Sequence, residues 1–335
     1  MTIRTDTPPE DDQDTRTITW QRIALNESTL RALLLTGFLV LIIIYFTTRD
    51  SAFLSRENGL NILVNASVIG IVSLGQVLTI ISGGFDLSVS GTVPLGSVVF
   101  AILVNRGWGI LPAVGGVLAV GAVCGLVNGL LVAKVNINPL IATLGTLSVT
   151  GGIALTIADG LQIPFSDPNA GVLAEQSLFG VNNHVWILIA LSIAIFLVLR
   201  YTVFGRYLYA VGGNREAARL GGIRVSAVTT GVYVSSAMLA SLAGAVLASQ
   251  LLTGSGTVGT GSALLSIAAV ILGGASLAGG VGGVPGTLIG VLILGTLANG
   301  MAIISVPAFY QTIATGLVLL LAVGVSQARR LRLGI

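Results

Sequence analysis

The feature that most limits the fold is a run of 104 consecutive residues, Val225 to Ala328, that contains no Asp, Glu, Lys, Arg or His. Further charge-free apolar stretches come earlier in the chain, among them Asn61–Phe85 and Gly107–Ala133. A helix that crosses the hydrocarbon core of a bilayer needs about 20 such residues. Charged residues make up 9% of the chain, against about 25% in soluble domains, so the surface of a soluble fold cannot be built. The sequence therefore predicts an all-α, polytopic membrane protein.

The apolar runs predict about ten transmembrane helices, with glycine-rich segments that break a helix or re-enter the membrane. The predicted spans are 30–48, 60–82, 92–105, 109–133, 138–158, 184–201, 226–250, 262–280, 284–301 and 310–328. The third span is short, and we expect Gly91 and Pro94 to interrupt its start. The predicted domains are a flexible cytoplasmic tail at 1–30, a transmembrane domain at 31–328 and a cytoplasmic C-terminus at 329–335.

The distribution of basic residues orients these spans. With the N-terminus in the cytoplasm, thirteen of the sixteen Lys and Arg residues fall on inner segments, and three fall on outer ones. Cytoplasmic loops of membrane proteins carry such an excess. Both termini are therefore predicted to be cytoplasmic. The two longest connections are an outer loop at 159–183 and a basic inner loop at 200–225.

Composition also excludes several kinds of site. The net charge of +3 is small, and the basic residues of the chain indicate which loops are cytoplasmic. No nucleic-acid partner is therefore predicted. Cys124 is the single cysteine, which rules out a disulfide within the chain and a cysteine-based metal site. His184 stands beside Trp186 at a predicted outer helix end and is interpreted as an interfacial residue. No catalytic residue and no metal ligand is predicted.

Asp86 is the one acid at membrane depth. It follows two glycines in the segment Gly83-Gly84-Phe85-Asp86-Leu87-Ser88, a pattern typical of a chain that ends one helix and caps the next. We interpret Gly83, Gly84, Asp86 and Ser88 as a structural turn near the inner edge, where the carboxylate need not lose its water. The alternative is a functional carboxylate, since an acid within the membrane usually serves function.

The inner loop predicts a short helix of about six residues. Asn214 is placed to cap its start, Glu216 lies near the positive end of the helix dipole, and Gly221 occupies the expected C′ position. Arg215 and Arg219 share one face at a spacing of four. The residues alone leave two interpretations open: a helix that docks on a partner, or an ordinary basic loop that marks topology.

A charge-free interior also bears on the solute. Hydroxyl and amide groups hydrogen-bond a neutral polyol weakly enough to release it, but they do not compensate a full charge. Each of these groups has an alternative role as a bridge between two helices. The candidate residues of a translocation path are Asn65, Gln76, Thr79, Asn128, Thr143, Thr146, Gln250 and Asn299.

Four segments carry a resemblance to a known family. They are Ser82–Ser90, Asn138–Thr146, Thr202–Ile223 and Leu272–Gly290. In this order they resemble the permease subunits of bacterial ABC importers for monosaccharides, the ribose, xylose and galactose group, and the likeness covers about 35–328. The family pattern usually has Ile and Gly where this chain has Phe85 and Ser90.

The resemblance implies an inner-membrane permease that works as a dimer with a second or homologous copy. Its implied partners are a cytoplasmic ABC ATPase, which would bind ATP and Mg²⁺, a periplasmic sugar-binding protein and membrane lipid. The loop at 159–183 is then periplasmic. This chain lacks the pattern G-x-x-x-x-G-K-[ST], so no cofactor is expected in it, and it is not expected to be an enzyme.

The resemblance also identifies the loop at 200–225 as the coupling loop. Ala217 and Ala218 leave room there for close contact with another surface. The residues assigned to ATPase coupling are Gly205, Arg206, Asn214, Arg215, Glu216, Ala217, Ala218, Arg219 and Gly221.

Three alternatives remain beside a sugar importer. A permease for branched-chain amino acids is the near neighbour within the ABC class. An ion-coupled secondary transporter would need intramembrane carboxylates or ion-coordinating broken helices, and Asp86 is the one acid available for that role. A purely structural membrane subunit would leave ten glycine-rich spans unexplained. The sequence does not identify the sugar.

Overall fold

The computed structural model describes residues 27–175, 178–307, 309–314, 316–318, 320 and 324. Most of the predicted N-terminal tail and the predicted C-terminus at 329–335 lie outside these residues. The α-helices are α1 (Glu27–Arg49), α2 (Arg56–Ile81), α3 (Val89–Asn105), α4 (Ile110–Ala133), α5 (Pro139–Ile157), α6 (Asn183–Tyr201), α7 (Val203–Gly213), α8 (Arg215–Leu220), α9 (Val225–Leu251), α10 (Ser262–Leu272) and α11 (Val284–Ile303). Two short strands, β1 (Gln162–Pro164) and β2 (Thr253–Ser255), pair antiparallel.

The helices confirm the all-α membrane class. Within the described part of the chain, six of them are long and apolar enough to cross a bilayer, namely α2, α4, α5, α6, α9 and α11. The apolar helices Leu33–Arg49, α3 and α10 are shorter. The tenth predicted span is described in pieces, of which 309–314 and 316–318 are helical. The count of ten spans therefore stays a prediction.

Two predicted spans need correction. The span predicted at 262–280 ends at Leu272, which leaves α10 about 16 Å long at 1.5 Å per residue. Gly274, Gly279 and Gly280 follow with positive φ angles, a conformation that the residues of a helix do not adopt. The third span starts earlier than predicted, at Val89, and runs through Pro94 without a break.

α9 lies at the centre of the bundle. It packs against α2, α3 and α4, and α2 and α9 are mostly buried within the chain, whereas α4, α5 and α6 leave most of their surface outward. Small residues allow the close approach: a Cβ at Gly244 of α9 would overlap the Val93 carbonyl oxygen of α3. Without a hydrophobic drive in lipid, such backbone contact supplies much of the packing energy.

The connections between helices fall into two groups. At one end, β1 pairs with β2, and the Leu173 N–H donates to Ser249 Oγ at 3.1 Å. At the other, the Tyr209 hydroxyl donates to the Gly282 carbonyl at 2.8 Å, and the Gly280 N–H donates to the Ile81 carbonyl at 2.9 Å. Asn65 of α2 lies beside Gln250, near the end of α9 that carries Ser249. Ile81 ends α2 sixteen residues later, about 24 Å along the helix, so the two groups lie at opposite ends of the bundle.

Candidate functional site

Helix α7 fixes the loop 200–225 to the end of the bundle that we predict to be cytoplasmic. This helix was not predicted from the sequence. Thr202 caps it by accepting a hydrogen bond from the Gly205 N–H at 3.2 Å. A Cβ at Gly205 would overlap the Leu199 carbonyl oxygen, and a Cβ at Gly212 would overlap the Ile81 carbonyl oxygen. α7 is therefore packed against the ends of α6 and α2 by direct backbone contact.

Helix α8 forms where the sequence predicts it. The Asn214 side chain accepts a hydrogen bond from the Ala217 N–H at 2.9 Å, which satisfies one of the free donors of the first turn. Arg219 forms a salt bridge of 2.6 Å with Glu216 on the exposed side. The hydrogen bond from Arg219 lowers the pKa of the Glu216 carboxyl, so the pair stays ionised at neutral pH.

Two details of α8 differ from the prediction. The left-handed residue after the helix is Gly222, with φ +81°, while Gly221 has φ −75° and ends the helix in an ordinary conformation. Ala218 is buried against the rest of the chain, whereas Ala217 is exposed. Only Ala217 of the two alanines therefore presents a small, accessible contact point to another surface. Arg206, on α7, is also exposed.

Asp86 is the centre of a buried polar network between α2 and α3. Its carboxyl accepts hydrogen bonds from the Ser88 N–H at 3.1 Å, from Ser88 Oγ and from Ser236 Oγ at 2.7 Å. The bond from the Ser88 N–H has the geometry of a carboxylate that caps the following turn. The side chain is fully buried, so the expectation that it keeps its water is wrong. The reason is that α9 covers the turn.

The network continues into the neighbouring helices. Asn128 Nδ2 of α4 donates to Ser88 Oγ at 2.7 Å, and Thr146 Oγ1 of α5 donates to Asn128 Oδ1 at 2.7 Å. The Gln76 side chain, oriented to satisfy both groups, donates to the Asp86 carbonyl at 3.1 Å and accepts from its N–H at 3.3 Å. The network thus joins five helices, α2, α3, α4, α5 and α9, at one point.

Most of the predicted path residues use their polar groups in hydrogen bonds within the chain. Gln76, Thr79, Asn128 and Thr143 are fully buried. Thr79 and Thr143 donate to carbonyls of their own helices. In this structure these side chains offer no group to a solute, and the sequence did not reveal this because a bridging amide and a lining amide look alike.

Asn65 and Gln250 are brought together by the fold. They line a cavity of about 350 Å³ between α2, α9 and the start of α10, together with Ser262. This volume lies at the lower end of the range for small-molecule sites. The lining residues carry no charge, so the cavity offers amides and a hydroxyl for hydrogen bonding to a neutral solute. The Asn299 side chain, on α11, is partly buried and does not line it.

His184 lies in the first turn of α6, where the sequence places it, and is buried within the chain. It is 1% exposed, and Nδ1 lies 3.0 Å from the Ala174 carbonyl oxygen. The loop 159–183 therefore covers it, and its position at the membrane interface stays a prediction. Among the described residues, no group of three His, Cys, Asp or Glu residues is arranged to hold a metal ion.

Three further positions of the site were not predicted from the sequence. Ser236 holds the Asp86 turn, and Tyr209 holds the loop before α11 through Gly282. Ser262 lines the cavity. Ser236 lies in the charge-free run, where serine spacing gives no signal for one helix face. Its partner lies 150 residues earlier in the chain, so the contact depends on tertiary structure.

Known transport permeases are similar to this chain along most of its length. The chain is 38% identical over 325 residues to the ribose import permease protein RbsC of Escherichia coli (strain K12), which covers 94% of this chain and 99% of that protein. It is 38% identical over 291 residues to the ribose import permease protein RbsC of Bacillus subtilis (strain 168), 86% of this chain and 89% of that protein. It is 36% identical over 278 residues to the L-arabinose transport system permease protein AraH of Escherichia coli (strain K12), 83% and 84% of the two chains. No solved structure matches the chain.

The family match covers most of the bundle. A family described as "Branched-chain amino acid transport system / permease component" matches residues 58–323, from α2 past α11. This range includes the Asp86 turn, the cavity and the loop with α7 and α8. The family match and the similar permeases agree with the six helices that are long and apolar enough to cross a membrane. The chain therefore belongs to this family of transport permease components and is a multi-pass inner-membrane subunit of an ABC importer, whose ATPase is a separate chain.

Proposed function

We propose that this chain forms the translocation path for a neutral monosaccharide in an ABC importer. Its relatives along nearly the whole chain are named as ribose and arabinose permeases, whereas the family description names branched-chain amino acids. The uncharged cavity favours the sugar, because an amino acid carries two charges that amides and a hydroxyl compensate poorly. A periplasmic binding protein delivers the sugar, and two permease copies enclose the path in the lipid bilayer.

The observation that carries the proposal is the construction of α7 and α8. α7 is packed by backbone contact on the ends of α2 and α6, and α8 stands exposed beside it with a capped start. A movement of α8 is therefore transmitted through α7 to the ends of α2 and α6, because α7 contacts both helices through backbone atoms. This is the geometry that a membrane subunit needs when a separate ATPase drives it. We assign Gly205, Arg206 and the helix residues of α8 to that coupling.

The uncharged cavity supports the outer part of the path. Asn65, Gln250 and Ser262 line it on the side of the bundle that holds β2 and the loop 159–183. In the proposed orientation this side faces the periplasm, where a binding protein releases its sugar. The proposal retains Asn65 and Gln250 as path residues. Asn299 is kept as a further path residue, and the buried Gln76, Thr79, Asn128 and Thr143 and the partly buried Thr146 would contribute after a rearrangement of the helices.

Cysteine labelling tests the orientation. In a Cys124→Ala background, Asn169→Cys and Gly213→Cys place thiols at exposed positions on the two ends of the bundle. Gly213 is suitable because no atom lies within 4 Å of the position that a Cβ would take, whereas Gly212 is closed by Ile81. We expect an impermeant maleimide added outside spheroplasts to label Asn169→Cys alone. Labelling of both positions from outside would overturn the ten-span topology.

Substitutions in α8 test the coupling. We expect Ala217→Trp to reduce ATP-driven sugar uptake at least tenfold, because a bulky side chain at the exposed contact point keeps another surface away. Arg219→Glu should act similarly, since it breaks the exposed pair with Glu216 and reverses the charge that α8 presents to another surface, and like charges brought together across a contact oppose binding. The measurements are co-purification of the ATPase and uptake with a proton ionophore present, at matched membrane abundance.

The control for this test is Arg106→Glu, at the opposite end of the bundle after α3. It changes charge as Arg219→Glu does, but it lies far from α8. Wild-type uptake in both α8 variants would mean that the loop is a topological anchor, and the importer mechanism would lose its structural basis. Uptake that stops when the ionophore is added would instead favour an ion-coupled transporter.

A further inference from the structure

A basic groove lies beside α8, apart from the cavity that holds Asn65. It has a volume of about 1050 Å³ and opens between the end of α4, the start of α9 and one side of α8. Its basic lining residues are Lys134, Arg215, Arg219 and Arg224. Glu216 is the acid among the lining residues. The groove therefore concentrates positive charge where two apolar helices meet the inner surface.

The positive charge of the groove is largely uncompensated. The Glu216 carboxylate is occupied by Arg219 at 2.6 Å. Within the residues that the structure describes, Lys134, Arg215 and Arg224 form no ion pair. Three such cations around one groove produce a local potential that attracts an anion. Apart from Glu216, which pairs with Arg219, the described residues that line the groove supply no anion.

The groove also has an apolar wall. Leu130, Ala133 and Ala227 line it together with the cations. On α4, Leu126 and Val123 precede Leu130 by four and seven residues, which places all three on one helix face. Leu126 is 45% exposed and Val123 is 62% exposed. An apolar track thus leads from the cations into the depth of the membrane, so the shape fits an anion that carries a hydrocarbon chain.

We propose that this groove binds an anionic phospholipid of the inner leaflet, with its phosphate between Lys134 and Arg224 and an acyl chain along α4. The inference rests on the proposed orientation of the chain, because the cytoplasmic leaflet is the anionic one. A bound headgroup joins the end of α4 to the start of α9, beside α8. Lipid composition then affects the stability of the segment that carries the coupling helix.

The test uses the purified chain in detergent, without ATPase or sugar, so its result does not depend on transport. The probe is phosphatidylglycerol, with phosphatidylcholine as the neutral comparison, and native mass spectrometry counts the bound lipid. We expect saturable binding of one phosphatidylglycerol per chain. The double variant Lys134→Gln/Arg224→Gln should bind it about thirtyfold more weakly. Arg200→Gln, an exposed arginine at the end of α6 outside the groove, is the matched control and should bind as the wild type does.

Four results would overturn the proposal. Equal binding of phosphatidylcholine, or equal loss in Arg200→Gln, would mean that the retained lipid is unspecific. Displacement of phosphatidylglycerol by inorganic phosphate at similar concentrations would identify the ligand as a free anion. Unchanged lipid binding in the double variant would show that the groove is not the lipid site. A separate co-purification of that variant with the ATPase then tests the other occupant, since loss of the ATPase would assign the groove to an acidic segment of that chain.

Discussion

Replacing Gly244 by alanine is expected to prevent the chain from reaching its folded state. A Cβ at this position would overlap the Val93 carbonyl oxygen and would lie 2.8 Å from the Ser97 N–H nitrogen of α3. Backbone atoms cannot relieve the overlap by a change of rotamer, as a flexible side chain can. The helices α3 and α9 must therefore separate along their contact. Overpacking that side chains can absorb costs about 1–3 kcal/mol, and overlap with backbone atoms lies well above that range. The measurement is the yield of monodisperse protein after detergent extraction, together with its Tm.

The matched control for Gly244→Ala is Gly115→Ala in α4. It adds the same methyl group inside a helix, but no atom lies within 4 Å of the added Cβ. We expect a neutral or slightly stabilising effect of about 0.5–1 kcal/mol, since alanine is the better helix former. Similar yields for the two variants would contradict the close packing of α3 on α9.

Replacing Asp86 by leucine is expected to have the second largest effect. The carboxyl accepts three hydrogen bonds from Ser88 and Ser236 while fully buried. Without it, those donors stay buried and unpaired, and each such group costs about 1–3 kcal/mol. We expect Asp86→Leu to destabilise the fold by more than about 3 kcal/mol, observed as loss of extractable protein and of the sharp thermal transition.

Asp86→Asn separates a structural carboxyl from an ion-coupling one. The amide has the same shape and still accepts hydrogen bonds through one oxygen, and Ser236 can turn its hydroxyl to accept from the amide nitrogen. We expect near-normal folding and ATP-driven uptake reduced by less than threefold. If Asp86→Asn folds normally but loses uptake that an ionophore also abolishes, the secondary-transporter alternative would replace the importer.

The membrane class of the protein could be predicted from the sequence because a segment that crosses lipid must be apolar and about 20 residues long. A charge-free run as long as Val225–Ala328 cannot face water, so the apolar helices follow from local sequence. The short helix α8 was equally readable, since its cap, Asn214, and its final glycines act within one turn. The length of α10 could not be predicted from the sequence. Hydropathy continues across Gly273–Gly283, and backbone conformation rather than polarity ends the helix.

Some features of the candidate site could likewise be predicted from the sequence, and others depended on tertiary structure. Residue types alone identified Asp86 as exceptional and Asn65 and Gln250 as uncharged hydrogen-bonding groups. The depth of Asp86 depended on α9, which arrives from 150 residues away to supply Ser236. Likewise, the roles of Gln76 and Asn128 depended on which face each helix turned toward the Asp86 turn.

The sequence by itself determined that the chain lies in a membrane, where most of its long apolar helices run and which loop carries a capped basic helix, because burial in lipid, helix capping and charge act over a few neighbouring residues. Tertiary structure alone decided which polar groups bridge helices and which line the cavity beside Asn65, and it decided that α7 rests on Ile81. In an interior built from small and apolar residues, every helix face looks similar in sequence, and only the packing of the helices determines which groups meet.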